Sequence, residues 1–183
     1  MGYEIEAKAP VEDASIIESR VRQSGGELIG EKTQVDIYLS HPCRDMRGAD
    51  EALRLRLEGG KCVVTFKGAR MKGNLKSREE LEFSVGEWEK ALEVFSRLGF
   101  KVAARVCKVR REYRLLGASV AIDRVEGLGD FVEIEAPRTG TEMERSALVE
   151  SVATMIGVDK SRLTTKSYVE LLESRSSESS DSM

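Results

Sequence analysis

The chain has 183 residues, of which 32 are acidic and 29 basic, so a third of it is charged while the net charge is only −3. That length suits one domain with its own core, and the absence of a basic block argues against general nucleic-acid or membrane-surface binding. No apolar run approaches the roughly 18 residues of a membrane span, and no signal-like apolar segment begins the chain. We therefore expect a cytoplasmic protein with no membrane partner.

The cysteines and the lone histidine predict no chemistry of their own. Cys43, Cys62 and Cys107 form no CxxC pair and leave an odd count, which disfavours a disulfide framework and a thiolate zinc site. His41 precedes a proline in a polar stretch, so we expect it in a loop without a catalytic role.

Alternating apolar and polar residues predict eight strands, and the Gly59-Gly60 pair predicts a tight hairpin between the third and fourth. The predicted strands cover residues 3–9, 34–39, 52–58, 62–67, 78–83, 104–115, 119–124 and 131–136.

Four segments carry helical periodicity instead. Pro10 is expected to open the first helix, which ends at Gly25, and Ser84 with Glu87 has the spacing of a capping box for the second, which ends at Gly99. The others are expected over 142–156, with Met143 on the inner side, and over 166–173. Residues 1–173 then form one domain, and the Ser-rich, acidic segment 174–183 is predicted to be a disordered tail.

One side of almost every predicted strand is ionisable and the other is apolar. A solvated sheet face explains such alternation without any function. However, like charges recur two residues apart, about 7 Å along a strand, as in Glu4/Glu6 and Glu133/Glu135. Because that arrangement costs free energy unless opposite charge lies between, we favour an α+β fold: a closed eight-stranded antiparallel barrel lined by these charges, with helices outside.

A lined interior must balance its charges, because an unpaired buried charge costs several kcal/mol. Cations and carboxylates are equally numerous, which suits a triphosphate accompanied by Mg²⁺ or Mn²⁺. The cations are Lys8, Arg54, Arg56, Lys67, Arg78, Lys108 and Arg110, and the carboxylates are Glu4, Glu6, Glu80, Glu82, Asp123, Glu133 and Glu135.

An ordered series of motifs resembles the CYTH superfamily, the triphosphate tunnel metalloenzymes, and within it most the class IV adenylyl cyclase (CyaB-type) branch. The first is Glu4-Ile5-Glu6-Ala7-Lys8, which matches the ExExK signature. Met46 and Ala69 stand where the family often has Phe and Pro. The later motifs are residues 34–38, 41–45, 51–56, 65–68, 78–82, 108–110 with Tyr113, Asp123, 127–135 and 166–168.

The resemblance implies a role for each interior charge. Lys8, Arg54, Arg56, Lys67, Arg78, Lys108 and Arg110 would bind phosphates, with Lys166 at the tunnel mouth. Glu4, Glu6, Asp123, Glu133 and Glu135 would hold the metal, while Glu80 and Glu82 are assigned less firmly. The catalytic set would be Glu4, Glu6, Lys8, Lys108 and Arg110.

The leading functional hypothesis is conversion of ATP to 3′,5′-cyclic AMP and pyrophosphate, with metal-assisted attack by the ribose 3′-hydroxyl on the α-phosphorus. Hydrolysis of inorganic, thiamine or nucleoside triphosphate is the alternative, since the same residues would serve it. A nucleotide or polyphosphate binder without turnover is a third, against which the many carboxylates argue. Pairing of two barrels into a homodimer is left open.

Overall fold

The computed structural model describes residues 2–70 and 76–180. Its strands are β1 (Gly2–Val11), β2 (Glu27–Ser40), β3 (Ala52–Glu58), β4 (Lys61–Lys67), β5 (Lys76–Val85), β6 (Lys101–Leu115), β7 (Ala118–Val125) and β8 (Gly129–Glu135). They form a closed antiparallel barrel in the order β1-β5-β4-β3-β2-β6-β7-β8, with β8 paired to β1. The predicted fold class is thereby confirmed.

The first three helices pack against the outer surface of the barrel, whereas the fourth packs on inward-facing strand residues. They are α1 (Ala14–Gln23), α2 (Trp88–Arg97), α3 (Glu142–Met155) and α4 (Tyr168–Ser180), with a short 3-10 turn at Lys160–Arg162.

Outward-facing apolar residues of the strands supply the core beneath α1, α2 and α3. The first cluster joins β1, β7 and β8 to α1 and α3, and includes Ile5, Val21 and Val152. A second packs α2 on β2, β3 and β4. A third seats α4 on Val106, Val125 and Phe131, which share the strand parity of the inward-facing charges and so lie on the inner face. Apart from this third cluster, the apolar face of the sheet points out to the helices and the charged face points in.

Two helix starts differ from the sequence prediction. Pro10 lies in β1, opposite Phe131 of β8, where its missing N–H is tolerated near a strand end, and α1 starts after Asp13, whose side chain accepts from Ser15 N. The capping box at the second helix is also wrong: Ser84 pairs with Val63 in the sheet, and the cap residue Glu87 makes no side-chain cap bond.

Pairing between distant segments extends β2 beyond its predicted start. Residues 27–33 have little apolar periodicity, yet they pair with the far end of β6, from Glu27 opposite Arg114 to Thr33 opposite Val109. The Gly59-Gly60 hairpin is confirmed, with both glycines at positive φ as a two-residue turn of this kind requires.

Helix α4 is described as far as Ser180 and so includes part of the segment predicted to be a disordered tail, while residues 181–183 lie outside the described range. The disorder of 174–183 stays a prediction. Within the described ranges, no helix combines the length and apolar character that crossing a membrane requires.

Helix α1 is fastened to the barrel by Glu18. Its carboxylate accepts hydrogen bonds from Tyr113 Oη, Arg22 Nη2 and Arg111 Nη1. Tyr113 is fully buried in the sheet. These hydrogen bonds, foremost that from Tyr113, lower the pKa of Glu18 to about 2.

We expect Glu18→Gln to lower the free energy of unfolding by about 1–2 kcal/mol at pH 7, because hydrogen bonds to a charged group are lost. The Glu18 pKa is lower in the folded state than its ordinary 4.5, so its stabilisation is complete above about pH 5 and disappears as the pH falls towards 2. Urea unfolding from pH 7 to pH 3 should show the two proteins converging. Glu27→Gln, at an exposed strand position, is the control, and a pH-independent difference would contradict the assignment.

Candidate active site

The barrel encloses a cavity of about 950 Å³, a volume at the upper end for small-molecule sites. The side chains that line it come mainly from the inward positions of the strands, from the loop between β2 and β3, and from the start of α4. Of the predicted site residues, its wall includes Glu4, Glu6, Lys8, Arg54, Arg56, Lys67, Arg78, Glu80, Glu82, Lys108, Arg110, Glu133 and Glu135.

Strand order places opposite charges on opposite walls. Neighbouring strands β8 and β1 contribute four glutamates, at positions 133, 135, 4 and 6, which we call the acidic wall. Four steps round the ring from β8 lies β3, whose Arg54 and Arg56 line the cavity. A ligand inside the barrel therefore meets the four glutamates on one side, where Lys8 and Arg110 accompany them, and the guanidinium groups of Arg54 and Arg56 on the other.

Lysines in the cavity are paired with glutamates in this structure. Lys8 Nζ lies 3.1 Å from Glu133, and Lys67 Nζ lies 3.2 Å from Glu4 and also contacts Glu80. The charges of Glu133 and Glu6 keep the pKa of Lys8 above its ordinary value against the opposing effect of burial. Each of these glutamates is thus paired with a lysine. Phosphate oxygens are chemically able to replace the glutamates as partners of those lysines.

Two of the arginines are oriented by buried aspartates. Arg56 donates to both carboxylate oxygens of Asp36, at 2.7 and 2.8 Å. Burial alone would raise the pKa of Asp36, but these bonds and the Arg56 charge lower it to about 2. Arg110 makes the corresponding pair of bonds to Asp123, at 2.7 and 2.6 Å.

Asp123 is surrounded by donors. It is fully buried, and besides Arg110 it accepts from Lys108 Nζ at 3.0 Å and Tyr168 Oη at 2.8 Å. Lys108 nevertheless has its pKa lowered to about 8, because burial and the neighbouring Arg110 charge outweigh the attraction of Asp123.

Glu135 carries the least compensated charge of the acidic wall. It lies directly opposite Glu6 in the β1–β8 ladder, an arrangement that is destabilising for like charges. Burial raises its pKa to about 8, and the charges of Glu4, Glu133 and Glu6 add to that effect. A divalent cation would relieve this repulsion, and all four donors are the hard carboxylate oxygens that Mg²⁺ and Mn²⁺ prefer.

The carboxylates of the acidic wall are suitable ligands for such an ion, but in this structure their side chains do not converge on one point. Within the described ranges, no three His, Cys, Asp or Glu side chains already converge as a metal site. Glu4 and Glu133 are turned towards Lys67, Lys8 and Arg110. An ion would have to compete with these cations.

Buried donors in the cavity lack acceptors. Arg54 and Arg78 are 7 % and 4 % exposed, and the Nε atom of each is buried without a hydrogen-bond partner among the residues that the structure describes. Since buried donors are normally paired, these two Nε atoms have hydrogen-bonding capacity that an anion would satisfy.

Two predicted site residues do not reach the cavity wall. Lys166 is exposed and is not among the lining residues, and Asp123 lies behind Lys108 and Arg110. Their predicted roles, like those of the whole set, stay predictions.

Sequence reasoning assigned no role to several residues of the site. Asp36 shares the inward parity of Tyr38, so the alternation in β2 could have found it. Arg70 and Arg138 come from loops, and Tyr168 from the start of α4, so no strand pattern predicts that they line the cavity.

The fold and site together define a closed antiparallel barrel whose interior is lined by both cationic side chains and carboxylates. Residues 2–168 match the CYTH domain, and the chain belongs to this family.

Related proteins match nearly the whole chain in sequence or in fold. A Methanocaldococcus jannaschii protein named "Putative adenylate cyclase" is 35% identical over 170 residues, which are 92% of this chain and 97% of that protein. The solved PH1819 protein of Pyrococcus horikoshii OT3 is 34% identical with a TM-score of 0.83, covering 94% and 99% of the two chains. A Hippeastrum structure, described as a "putative adenylyl cyclase" with a dominant triphosphatase activity, has a TM-score of 0.70 at 19% identity and covers 95% and 96%. At that identity, the last similarity shows the fold alone.

Two neighbouring glutamates of β8 should have opposite effects on stability. In metal-free protein at pH 9, we expect Glu135→Gln to raise the free energy of unfolding by roughly 1–3 kcal/mol, because like-charge repulsion is removed. Glu133→Gln should lower it by about 3 kcal/mol, because Lys8 and Arg110 each lose a buried partner.

Urea unfolding in EDTA measures the stability of both variants. Each variant is the control for the other, because both make the same substitution on one strand, two residues apart. A loss of stability in Glu135→Gln equal to that in Glu133→Gln would contradict the charge distribution described for the acidic wall.

Proposed function

We propose that the protein is a divalent-metal-dependent enzyme acting on a nucleoside triphosphate, and that its reaction converts ATP to 3′,5′-cyclic AMP and pyrophosphate. The observation that carries the proposal is one enclosed cavity that opposes arginines on β3 to four glutamates on β8 and β1. The arginines alone would suit an anion, and the glutamates alone would suit a cation. The two sets together match a polyanion that binds along with a metal cation.

The cationic side of the cavity would bind the phosphates. Among the described residues, none accepts from the Nε atoms of Arg54 and Arg78. Phosphate oxygens would supply acceptors, and charge-assisted bonds of this kind contribute about 1.5–3 kcal/mol each. Arg56 and Arg110 are already oriented by their aspartates. They would take up the charge that develops on the leaving pyrophosphate without first having to reorient.

The acidic wall would hold the metal through Glu4, Glu6, Glu133 and Glu135. When bound there, a divalent ion lowers the pKa of a coordinated hydroxyl or water and offsets phosphate charge. As Lys8 and Lys67 bind the phosphates, their pairing with Glu133 and Glu4 weakens, while Glu133 keeps its contact with Arg110. Triphosphate binding would therefore reduce the competition between the lysines and the metal for these two glutamates.

Apolar side chains in the cavity wall favour a nucleotide over inorganic triphosphate. Leu39, Met46, Leu53, Ala103 and Val169 all line the cavity, the first three as members of the apolar cluster under α2. Phosphate gains nothing from such side chains, whereas a nucleobase buries apolar surface against them.

Hydrolysis of a triphosphate is the second candidate. The Hippeastrum structure is described as having a dominant triphosphatase activity, and the same phosphate and metal ligands would serve a water that attacks the γ-phosphorus. The two reactions differ in the nucleophile, a ribose hydroxyl or a water, and in which phosphorus it attacks.

Product analysis separates the candidates. With Mg²⁺ or Mn²⁺, we expect ATP to yield cyclic AMP and pyrophosphate in equal amounts, measured by ion-exchange chromatography, while tripolyphosphate yields little orthophosphate. Orthophosphate from both substrates, without cyclic AMP, would favour the triphosphatase. Binding without product in Mg²⁺, Mn²⁺ and Ca²⁺ would contradict an enzymatic function.

Removing a carboxylate from the acidic wall should reduce metal-dependent activity. We expect Glu4→Gln and Glu6→Gln each to reduce metal-dependent turnover at least 100-fold, since one anionic oxygen donor is removed from a site that binds through charge. Steady-state rates at several Mn²⁺ concentrations measure the effect. Glu27→Gln, an exposed outer change, is the control, and full activity in both wall variants would refute the metal assignment.

A further inference from the structure

Tyr168 begins helix α4, yet its side chain is 4 % exposed and reaches the cavity. The centroid of its ring lies 4.4 Å from Lys8 Nζ and 4.9 Å from Lys108 Nζ. Both distances are typical of cation–π contacts. Because Lys8 is on β1 and Lys108 on β6, one ring contacts ammonium groups from two strands that are not adjacent.

The hydroxyl of Tyr168 joins the same group of charges. It donates to Asp123 Oδ2 at 2.8 Å, and that oxygen also accepts from Lys108 Nζ. The ring itself packs edge-on against Phe131, with centroids 5.1 Å apart. The ring position is therefore defined by a polar contact at one end and an aromatic contact along its side.

The backbone around Tyr168 is fastened to the barrel by separate contacts. Thr164 N donates to Lys8 O at 2.8 Å. The Arg70 guanidinium donates to Thr165 O at 2.9 Å and to the Glu170 carboxylate. The segment that carries Tyr168 is thus held before any ligand is bound.

We propose that Tyr168 is a positioning residue, whose ring holds the ammonium groups of Lys8 and Lys108 where they meet the phosphates. The inference rests on the proposed function, in which both lysines bind a triphosphate. Ordering a lysine side chain costs about 2 kcal/mol of rotamer entropy. When a ring already restricts the ammonium group, less of that entropy is lost on phosphate binding. Tyr168 itself need not touch the substrate.

Three variants separate this role from simple packing. Tyr168→Phe keeps the ring and loses the hydroxyl, whereas Tyr168→Leu loses both. Phe131→Leu removes the aromatic neighbour from the same apolar cluster but leaves both lysine contacts in place. It is therefore the matched control for lost packing.

Calorimetric titration with tripolyphosphate in EDTA measures anion binding without turnover. We expect Tyr168→Leu to weaken binding about tenfold or more, equivalent to about 1.4 kcal/mol, because two desolvated cation–π contacts are lost. Tyr168→Phe and Phe131→Leu should stay within about threefold of the original protein. Should Tyr168→Leu fail to fold, Tyr168→Met takes its place with the same threshold.

The outcomes distinguish the two proposals. Tight binding by the original protein and equally tight binding by Tyr168→Leu would overturn the role of Tyr168 alone. Equal weakening in Tyr168→Leu and Phe131→Leu would assign Tyr168 to packing and would also overturn it. If the original protein binds neither tripolyphosphate nor ATP, the proposed function itself fails.

Discussion

Closure of the barrel between β8 and β1 is the constraint on which the site depends. An open sheet would leave the ionisable face in water, where ion pairs contribute little. Closing it encloses Glu4, Lys8, Lys67 and Glu133 together, and each then needs a partner because buried charges are costly when unpaired. The interior satisfies this need with its own lysine–glutamate pairs. The cavity is thereby a charged interior that is stable without a ligand and yet composed of groups that a triphosphate and a metal can each bind.

The interior charges fall into two groups with different functional value. Arg56 and Arg110 are held by aspartates that belong to the framework, so their direction is set in advance. Lys8 and Lys67 are paired with glutamates of the cavity itself, so their pairs can exchange. Rigid donors suit charge that develops during a reaction, whereas exchangeable pairs suit ligand entry.

Much of the barrel is predictable from residue alternation, because a period of two survives wherever one face meets helices and the other does not. The inward position of Glu4, Arg54 and Glu135 follows from that parity alone. The long start of β2 does not, since residues 27–33 become a strand only by pairing with β6. The position of Met143 does not follow from the sequence either. It is predicted to lie on the inner side of α3 but is 80% exposed, because tertiary packing decides which face of a helix is buried. Tyr168 reaches Lys8 only through the course of the chain after β8, which no local pattern encodes.

The position of the acidic wall has a consequence for how the protein is made. Its glutamates belong to the first and the last strands of the barrel, so Glu6 meets Glu135 only after nearly three-quarters of the chain has left the ribosome. Until then, the nascent β1 has no β8 partner, and the carboxylates of Glu4 and Glu6 stay in water without mutual repulsion from the other strand. The unfavourable charge contacts therefore arise only when β8 pairs with β1, and the same pairing completes the apolar cluster of β1, β7 and β8 that offsets them.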